Sequence, residues 1–353
     1  MNKIIFFVYQ ASPYKVSLFN IMNKFANIFV IYEERLSTIR DASWLQNHCN
    51  EFDSYYLSNS KNPFKSYLEL YKLLKNDNVL YVVNGDYSSP SGMVLTYLAK
   101  KFKKKLIILA DGAIRKKRLW VIDKLMKSQI GKADIALSSC EITDDYFRYY
   151  GGKEMLIKRY PFTSLTTEEI RNNNLTYKSK KNTKVILSVG QIIHRKGHDI
   201  LIDVMSLLPD YKCYIIGGQP TQDLIERMKK NNVTNVEFLP FMQKDKLKTF
   251  YEKASLFVFP TREDIWGLVI NEALSFGLPI ISTDKCNAAV HFVKNYGCGF
   301  ITEVGDINKI IEYIKVLEEN DDMYEQFCKQ AILSSHDYTM EKSAELIYTN
   351  IIK

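Results

Sequence analysis

The chain has 353 residues, 46% of them hydrophobic, which predicts two domains that each bury a large core. No apolar run approaches the roughly 18 residues of a membrane-spanning helix, and the six cysteines and five histidines lack metal-ligand spacing. The formal charge of +8 is uneven, because residues 1–165 hold 25 Lys and Arg against 15 Asp and Glu. These features exclude a membrane-spanning or disulfide-stabilised protein and predict a cytoplasmic one whose basic first half meets an acidic partner.

Short apolar runs alternate with longer mixed segments along the whole chain. In chain order, the predicted strands are residues 4–9, 27–32, 79–84, 105–110, 134–139, 184–189, 212–217, 236–241, 256–261, 279–284 and 299–304. The predicted helices between them are residues 15–26, 64–76, 90–103, 117–132, 198–208, 221–231, 244–253 and 267–277, and the chain after residue 305 is helical. Because the apolar runs are continuous, they are typical of strands buried on both faces of parallel sheets. The pattern therefore predicts an α/β protein with doubly wound sheets.

A polar stretch with few large apolar residues separates two such α/β blocks. We predict an N-terminal domain at residues 1–165, an interdomain connection at 166–183 and a C-terminal domain at 184–334. We also predict a C-terminal helix at residues 335–353. The sequence leaves open whether this helix packs back on the N-terminal domain.

Two basic runs lie in the N-terminal domain, KKFKKK at residues 100–105 and RKKR at residues 115–118. Such runs favour an anionic lipid surface, a phosphorylated acceptor or a nucleic acid as the partner. For each run, an ordinary solvated surface is the alternative.

The segment EDIWGLVINEALSFGLPIIS follows a predicted strand and begins a helix near Gly267. A helix start presents unpaired N–H groups and a partial positive charge, and glycine lets a ligand approach the backbone. The amides of Gly267, Leu268 and Val269 are therefore candidates to bind a diphosphate.

Three carboxylates accompany this helix start. Asp264 precedes it and is placed to accept hydrogen bonds from sugar hydroxyls, whereas Glu272 lies one turn further on, where ribose hydroxyls would donate. Glu263 and Asp264 have an alternative interpretation as acids that complement the helix dipole. Glu272 stands on an otherwise apolar helix, where an unpaired carboxylate is costly, and this favours a functional role.

A second segment, SVGQIIHRKGHDIL, also joins a predicted strand to a helix. The strand ends at Gly190, and the loop before the helix contains Arg195, Lys196 and Gly197. Cations above a helix start are well placed to neutralise a leaving phosphate, while a solvated basic loop is the alternative. Gly217, after the next strand, either permits close approach of a ligand or only turns the chain.

Together these motifs are similar to a known family. Gly190, the Lys196-Gly197 pair and the Asp264-x7-Glu272 motif, in this order, make residues 184–305 resemble the donor domain of retaining GT-B glycosyltransferases, glycosyltransferase family 4. The resemblance implies the GT-B fold, with two Rossmann-like domains facing a cleft, and retention of anomeric configuration. It also implies a nucleotide-sugar donor on the second domain, an acceptor on the first, and no required metal.

The resemblance assigns residue roles, and two departures qualify them. Catalytic roles fall to Lys196, Asp264 and Glu272, and donor-binding roles to Gly190, Arg195, Gly197, Gly217, Glu263, Gly267, Leu268 and Val269. The family's usual Arg after the first glycine is Gln191, for which Arg195 is the candidate substitute. Where the family usually has a His in the first domain, this chain has Asp111, a catalytic candidate whose alternative is an ordinary Asp-Gly turn.

Segments ASPYKVSLFN, ADGAIRKK and RYPFTS resemble the members that build bacterial capsule, O-antigen or exopolysaccharide chains. We therefore predict a retaining hexosyltransferase that uses a UDP- or GDP-sugar co-substrate, with no further cofactor, and a lipid-linked or polysaccharide-precursor acceptor. It would work at the anionic inner face of the cell membrane, as a peripheral protein, and no nucleic-acid partner is expected. The alternatives are a sugar-nucleotide epimerase on the same scaffold and a basic protein that binds membrane or nucleic acid.

Overall fold

The structure is a computed structural model that describes residues 3–34, 51–57, 63–173 and 181–353. Residues 174–180 of the predicted interdomain connection lie outside the described residues. The chain forms two compact units. Unit 1 comprises Met1–Thr163 with Met340–Lys353, and unit 2 comprises Ser164–Thr339. The sequence analysis predicted that the N-terminal domain ends at residue 165 and the C-terminal domain at residue 334, whereas unit 2 runs from Ser164 to Thr339.

Unit 1 contains a seven-stranded parallel sheet in the order β3-β2-β1-β4-β5-β6-β7. Its strands are β1 (Lys3–Val8), β2 (Ile28–Tyr32), β3 (Asp53–Tyr56), β4 (Val79–Asn84), β5 (Lys105–Ala110), β6 (Ile135–Ser138) and β7 (Ile157–Arg159). Its first five helices are α1 (Pro13–Asn23), α2 (Pro63–Lys75), α3 (Pro90–Lys101), α4 (Trp120–Ile130) and α5 (Glu141–Gly151). The central strands are apolar and buried along almost their whole length, as a sheet covered on both faces requires.

Unit 2 contains a six-stranded parallel sheet in the order β10-β9-β8-β11-β12-β13. Its strands are β8 (Val185–Val189), β9 (Lys212–Ile216), β10 (Val236–Leu239), β11 (Leu256–Phe259), β12 (Ile280–Thr283) and β13 (Gly299–Thr302). Its helices are α6 (Thr167–Arg171), α7 (His198–Ser206), α8 (Gln222–Lys230), α9 (Lys244–Lys253), α10 (Leu268–Ser275), α11 (Asn287–Tyr296), α12 (Ile307–Glu319) and α13 (Asp321–Asp337). A short 3₁₀ turn, His194–Lys196, precedes α7.

The last helix, α14 (Met340–Ile352), belongs to unit 1, where it packs against α1. Its apolar face is fully buried at Ala344, Ile347 and Ile351. The carbonyl oxygen of Ile351 also accepts a hydrogen bond of 3.2 Å from the Nζ of Lys105 in β5. The end of the chain therefore completes the core of the first unit.

The two sheets share one topology, which confirms the predicted α/β class with two doubly wound parallel sheets. In each sheet the first strand pairs with the second on one side and with the fourth on the other, so the strand order reverses between β1 and β4 and between β8 and β11. Loops that follow two such strands diverge and leave a crevice at the carboxyl edge, where ligands of doubly wound sheets bind. This topology fixes where the motifs of unit 2 meet.

The sequence did not predict the strands β3 and β7 or the helices α5, α6 and α11. The two strands, DSYY and IKR, are the edges of the first sheet, and their side chains are exposed or only partly buried. An edge strand lacks the continuous apolar run by which the central strands were predicted.

None of the helices within the described residues combines the length and apolar character that crossing a bilayer needs.

Candidate functional site

Two loops meet at the carboxyl edge of the unit 2 sheet, at the point where its strand order reverses. One runs from the end of β8 to Gly197, at the start of α7, and the other from the end of β11 to Gly267, at the start of α10. Both glycines have left-handed backbone conformations, with φ of 73° and 102°. Each loop thus turns sharply and directs a helix start toward the crevice.

An ion pair joins the two loops. The Nζ of Lys196 lies 2.5 Å from the Oδ2 of Asp264, and the two side chains are only 11% and 14% exposed. Nη1 of Arg195 lies 3.9 Å from the other carboxylate oxygen of Asp264. The ammonium of Lys196 also lies 4.9 Å from the centre of the Phe259 ring at the end of β11. The structure therefore brings together three predicted site residues that are separated by up to 69 positions in the sequence.

Arg195 and Glu263, both predicted to bind the donor, hold the two loops to each other. Nη1 of Arg195 donates a 2.6 Å hydrogen bond to the backbone carbonyl of Glu263. The carbonyl of Arg195 accepts from the amide of Arg262 at 2.7 Å and from the hydroxyl of Thr261 at 2.9 Å. The contacts of Glu263 in this network use its main-chain oxygen, whereas the prediction relied on its carboxylate.

Arg262 is a site residue that the sequence reasoning missed. Its guanidinium forms a bidentate pair with Asp199 of α7, with both N–O distances 2.7 Å, and also donates to the carbonyl of His194 at 2.8 Å. Bidentate Arg–carboxylate pairs are geometrically specific, so this pair fixes the loop after β11 against the start of α7. No local pattern signals it, because the partners are 63 residues apart.

Glu272 occupies a different environment from the one expected. It is not unpaired, because the hydroxyl of Tyr251 donates to its Oε2 at 3.0 Å and the hydroxyl of Ser164 to its Oε1 at 3.3 Å. The sequence argument from an unpaired carboxylate was therefore wrong. Burial raises the pKa of Glu272, and nearby Lys244 opposes this rise. Lys196 pairs with Asp264, whereas the contacts of Glu272 are with Tyr251 and Ser164. The described contacts therefore place Lys196 and Glu272 in two separate networks.

Three predicted donor-site glycines are required by chain packing. A Cβ on Gly197 would lie 2.0 Å from the carbonyl oxygen of Pro260, and one on Gly217 would lie 2.1 Å from that of Gly190. A Cβ on Gly267 would meet the Sγ of Cys286 at 2.9 Å. These contacts are shorter than real side chains permit, so the chain itself demands glycine at the three positions. Gly190 differs, since its nearest Cβ contact would be an ordinary 3.5 Å.

The start of α10 offers its amides without a side-chain cap. Its N-cap is Gly267, and the first N–H groups of an α-helix have no intrahelical acceptor. Leu268 and Val269, the next two residues, are only partly buried. Helix starts with free amides and a positive dipole end are suited to bind anions.

Another buried residue, His198, opens α7. Its Nε2 donates to the carbonyl of Gln191, with 3.1 Å between the two atoms, and burial lowers the pKa of the imidazole. Gln191 stands where the family usually has Arg. It is exposed, and its contact with His198 uses its main-chain oxygen. Among the described residues, no cluster of three or more His, Cys, Asp or Glu is arranged to hold a metal ion.

Asp111 lies in unit 1, after β5. Its carboxylate accepts hydrogen bonds from the Nζ of buried Lys15 at 2.6 Å, from the hydroxyl of Tyr160 at 2.8 Å and from that of Tyr14 at 3.2 Å. The Asp-Gly turn alone does not explain these contacts, because they tie α1 and the segment after β7 to the end of β5. A catalytic role for Asp111 stays a prediction.

Comparison with known proteins agrees with this architecture. Residues 169–333 match the family model described as Glycosyl transferases group 1. These residues contain every predicted site residue except Asp111. The matched segment, most of unit 2, is therefore similar to this family of glycosyltransferases.

Relatives and solved structures extend the similarity beyond this segment. An uncharacterised glycosyltransferase of Haemophilus influenzae is 23% identical over 329 residues, covering 83% of this chain and 89% of the relative. The capsular polysaccharide biosynthesis glycosyltransferase CapM of Staphylococcus aureus is 30% identical over 167 residues, 44% of this chain and 43% of CapM. The crystal structure of HepE from Anabaena with UDP and glucose superposes with a TM-score of 0.76, at 13% identity and full coverage of both chains. The structural neighbours are GT-B glycosyltransferases, which confirms the predicted fold family.

Proposed function

We propose that this protein is a retaining hexosyltransferase that uses a UDP- or GDP-sugar. Its acceptor is a lipid-linked or polysaccharide-precursor saccharide in the synthesis of a bacterial surface polysaccharide, such as capsule or the O-antigen of lipopolysaccharide. The observation that carries the proposal is the Lys196–Asp264 pair, 2.5 Å apart at the crevice of a doubly wound sheet, beside a helix start with free amides. Related proteins support it, since CapM is a glycosyltransferase of capsular polysaccharide biosynthesis and HepE has been crystallised with UDP-glucose.

The proposed donor site binds the diphosphate with main-chain and side-chain groups of unit 2. The amides of Gly267, Leu268 and Val269 bind its oxygens, and Lys196 supplies a positive charge from the facing loop. Asp264 orients the ammonium of Lys196 at 2.5 Å and accepts hydrogen bonds from hydroxyls of the transferred sugar. Such preorganised groups stabilise charge without rearranging as the reaction proceeds.

Glu272 binds the ribose in this proposal. Tyr251 and Ser164 donate to its two oxygens and hold the carboxylate in place, while each oxygen keeps a further lone pair for a ribose hydroxyl. The first unit binds the acceptor, and Asp111 lies in that unit. The reaction is assigned to the cytoplasmic side of the cell membrane, with no nucleic-acid partner.

The chemical step is a displacement at the anomeric carbon. The bond between this carbon and the diphosphate oxygen breaks as the acceptor oxygen forms a new bond on the same face, which retains the configuration. The acceptor proton passes to the departing phosphate, so no enzyme carboxylate has to become a nucleophile, unlike in retaining glycosidases. Negative charge that develops on the diphosphate is stabilised by Lys196 and by the amides at the start of α10.

The first test is donor binding followed by turnover. Titration calorimetry and thermal shift with UDP, GDP and their sugars should show binding by one base, with a matching rise in melting temperature. Lys196→Ala should lower turnover by about 10²–10³-fold, because one preorganised charge is lost. Lys230→Ala, on the exposed end of α8, is the matched control and should keep wild-type turnover.

Product analysis by NMR should show the same anomeric configuration as the donor. Conversion of the sugar into its epimer without an acceptor would instead identify an epimerase and contradict the proposal. Full turnover by the Lys196→Ala variant would remove the catalytic role assigned to the ion pair.

A further inference from the structure

The first two turns of helix α4 in unit 1 expose a run of large apolar side chains, which we name the α4 patch and define as residues 119–122 and 125. Leu119 is 73% exposed, Trp120 74% and Val121 55%, and Ile122 and Leu125 are also exposed. Single exposed apolar residues are ordinary, but five large ones together mark an interaction surface.

The C-terminal half of α4 is firmly packed. Met126 and Ile130 are buried in a cluster with Tyr146, Phe147 and Tyr150 of α5. The helix therefore already satisfies its core contacts within unit 1. The α4 patch lies on the first two turns of the same helix, and the packing of its later turns against α5 leaves these first turns exposed.

Basic residues flank the α4 patch on both sides in the sequence. Residues 115–132 contain seven Lys and Arg against a single acid, Asp123. All seven cationic residues are exposed, whereas Asp123 is partly buried. The carboxylate of Asp123 accepts hydrogen bonds from the hydroxyls of Tyr149 and Tyr150, at 3.0 Å and 2.9 Å. The segment thus combines large exposed apolar side chains with a strong excess of positive charge.

The other basic run of unit 1, residues 100–105, has a different environment. Lys100 pairs with Asp134 at 2.7 Å, and Lys104 and Lys105 donate to backbone carbonyls of the same unit. Most of this run is therefore engaged within the fold. The basic character predicted to meet an acidic partner is concentrated around α4.

We propose that the α4 patch docks on an anionic lipid bilayer. Its apolar side chains would enter the boundary between headgroups and acyl chains, and the flanking cations would contact lipid phosphates. A second copy of the chain fits less well, because a two-fold contact would bring fourteen like charges together around one apolar centre. The inference rests on the proposed function, in which the acceptor is lipid-linked. It deepens that function by naming the surface that meets the membrane.

The test is cosedimentation of the full chain with vesicles. Binding is expected to vesicles of phosphatidylcholine with phosphatidylglycerol, and should be much weaker with pure phosphatidylcholine and in high salt. The double variant Lys117→Gln, Arg118→Gln should bind about 10–30-fold more weakly, at about 1 kcal/mol for each cation. The double variant Leu119→Ser, Trp120→Ser should lose at least about tenfold, because it removes apolar insertion.

Matched controls separate this surface from general effects of charge and exposure. Lys229→Gln with Lys230→Gln removes two exposed cations from α8 of unit 2, and Tyr97→Ser removes an exposed aromatic ring from α3 of unit 1. Both controls should bind vesicles as the wild type does. Equal losses in the control and patch variants would overturn the proposal.

Two further outcomes are decisive. A dimer in sedimentation velocity that depends on Trp120, without vesicle binding, would assign the α4 patch to a second copy and overturn the proposal. Nucleotide binding is measured on the same variants. Loss of vesicle binding by the patch variants, with unchanged nucleotide affinity, supports the docking surface. Vesicle binding by a wild-type chain that binds no nucleotide sugar contradicts only the proposed function.

Discussion

At the scale of single residues, the site is organised by charge pairs whose value lies in placement. Lys196 and Asp264 are largely removed from water, and a buried ion pair often gains little stability once desolvation is counted. The pair nevertheless fixes an ammonium beside the free amides of α10. This arrangement makes chemical sense if an anion binds there, since the ammonium and the amides would act on the same charge.

Glu272 provides a prediction about pH. Burial raises its pKa, so the folded state holds the proton more tightly than the unfolded state. The resulting stabilisation is complete below the unfolded pKa, about 4.3, and is lost as pH rises through the folded value. The Glu272→Gln variant has no carboxyl group to ionise and does not lose this stabilisation. The melting temperature of the variant minus that of the wild type should therefore increase between about pH 4 and pH 7.

Melting curves across this pH range provide the measurement. Glu319→Gln, at the exposed end of α12, is the matched control for the removal of one carboxylate. A constant difference between Glu272→Gln and wild type at every pH would contradict the prediction.

At the scale of elements, the two helix starts that form the site depend on tight backbone contacts. Gly197 and Gly267 both adopt positive φ, and a Cβ at either would collide with a neighbouring chain segment. At Gly197 the collision would be with the facing loop at Pro260, and at Gly267 with the Sγ of Cys286, at the start of α11. The glycines shape the crevice before any ligand is considered.

Gly197→Ala should therefore destabilise the protein markedly. The alanine Cβ would lie 2.0 Å from the carbonyl oxygen of Pro260 at a φ of 73°, so we expect a loss of about 2–5 kcal/mol in unfolding free energy. Gly190→Ala has only ordinary contacts and should change it by less than about 1 kcal/mol. Urea denaturation of the two variants checks the contrast, and equal stabilities would show that the close contact at Gly197 relaxes at little cost.

At the scale of the whole molecule, the last segment of the chain is part of the first unit. Helix α14 follows unit 2 in sequence but contributes Ala344, Ile347 and Ile351 to the core of unit 1. Unit 1 is therefore incomplete until the chain end has been made. Its stability depends on residues almost 180 positions after the end of its main segment.

Truncation after Thr339 should accordingly destabilise unit 1. Loss of two buried isoleucines alone removes roughly 3–6 kcal/mol of apolar burial. Hydrogen-exchange mass spectrometry should show faster exchange in α1, which packs against α14, and unchanged exchange in α10 and α13. Removal of residues 352 and 353 alone, both exposed, is the control. Faster exchange confined to unit 2 would refute the prediction.

Much of the fold could be predicted because its signals are local. Continuous apolar runs located the buried strands, and the predicted helix at residues 244–253 coincides with α9. The edge strands β3 and β7 were missed, since an edge strand is partly exposed and lacks such a run. The motif positions around Gly197 and Gly267 were found because a strand, a glycine turn and a helix follow one another directly in the chain.

The sequence by itself determined the α/β class, the two doubly wound sheets and the residues that form each loop, because periodicity and turn chemistry act over a few neighbouring positions. Only the tertiary structure decided that Arg262 clamps Asp199, that Glu272 is satisfied by Tyr251 and Ser164, and that α14 completes the first unit. These contacts join positions 21 to more than 300 residues apart. Strand order and helix packing create them, and no local pattern of residues encodes which distant side chain will arrive.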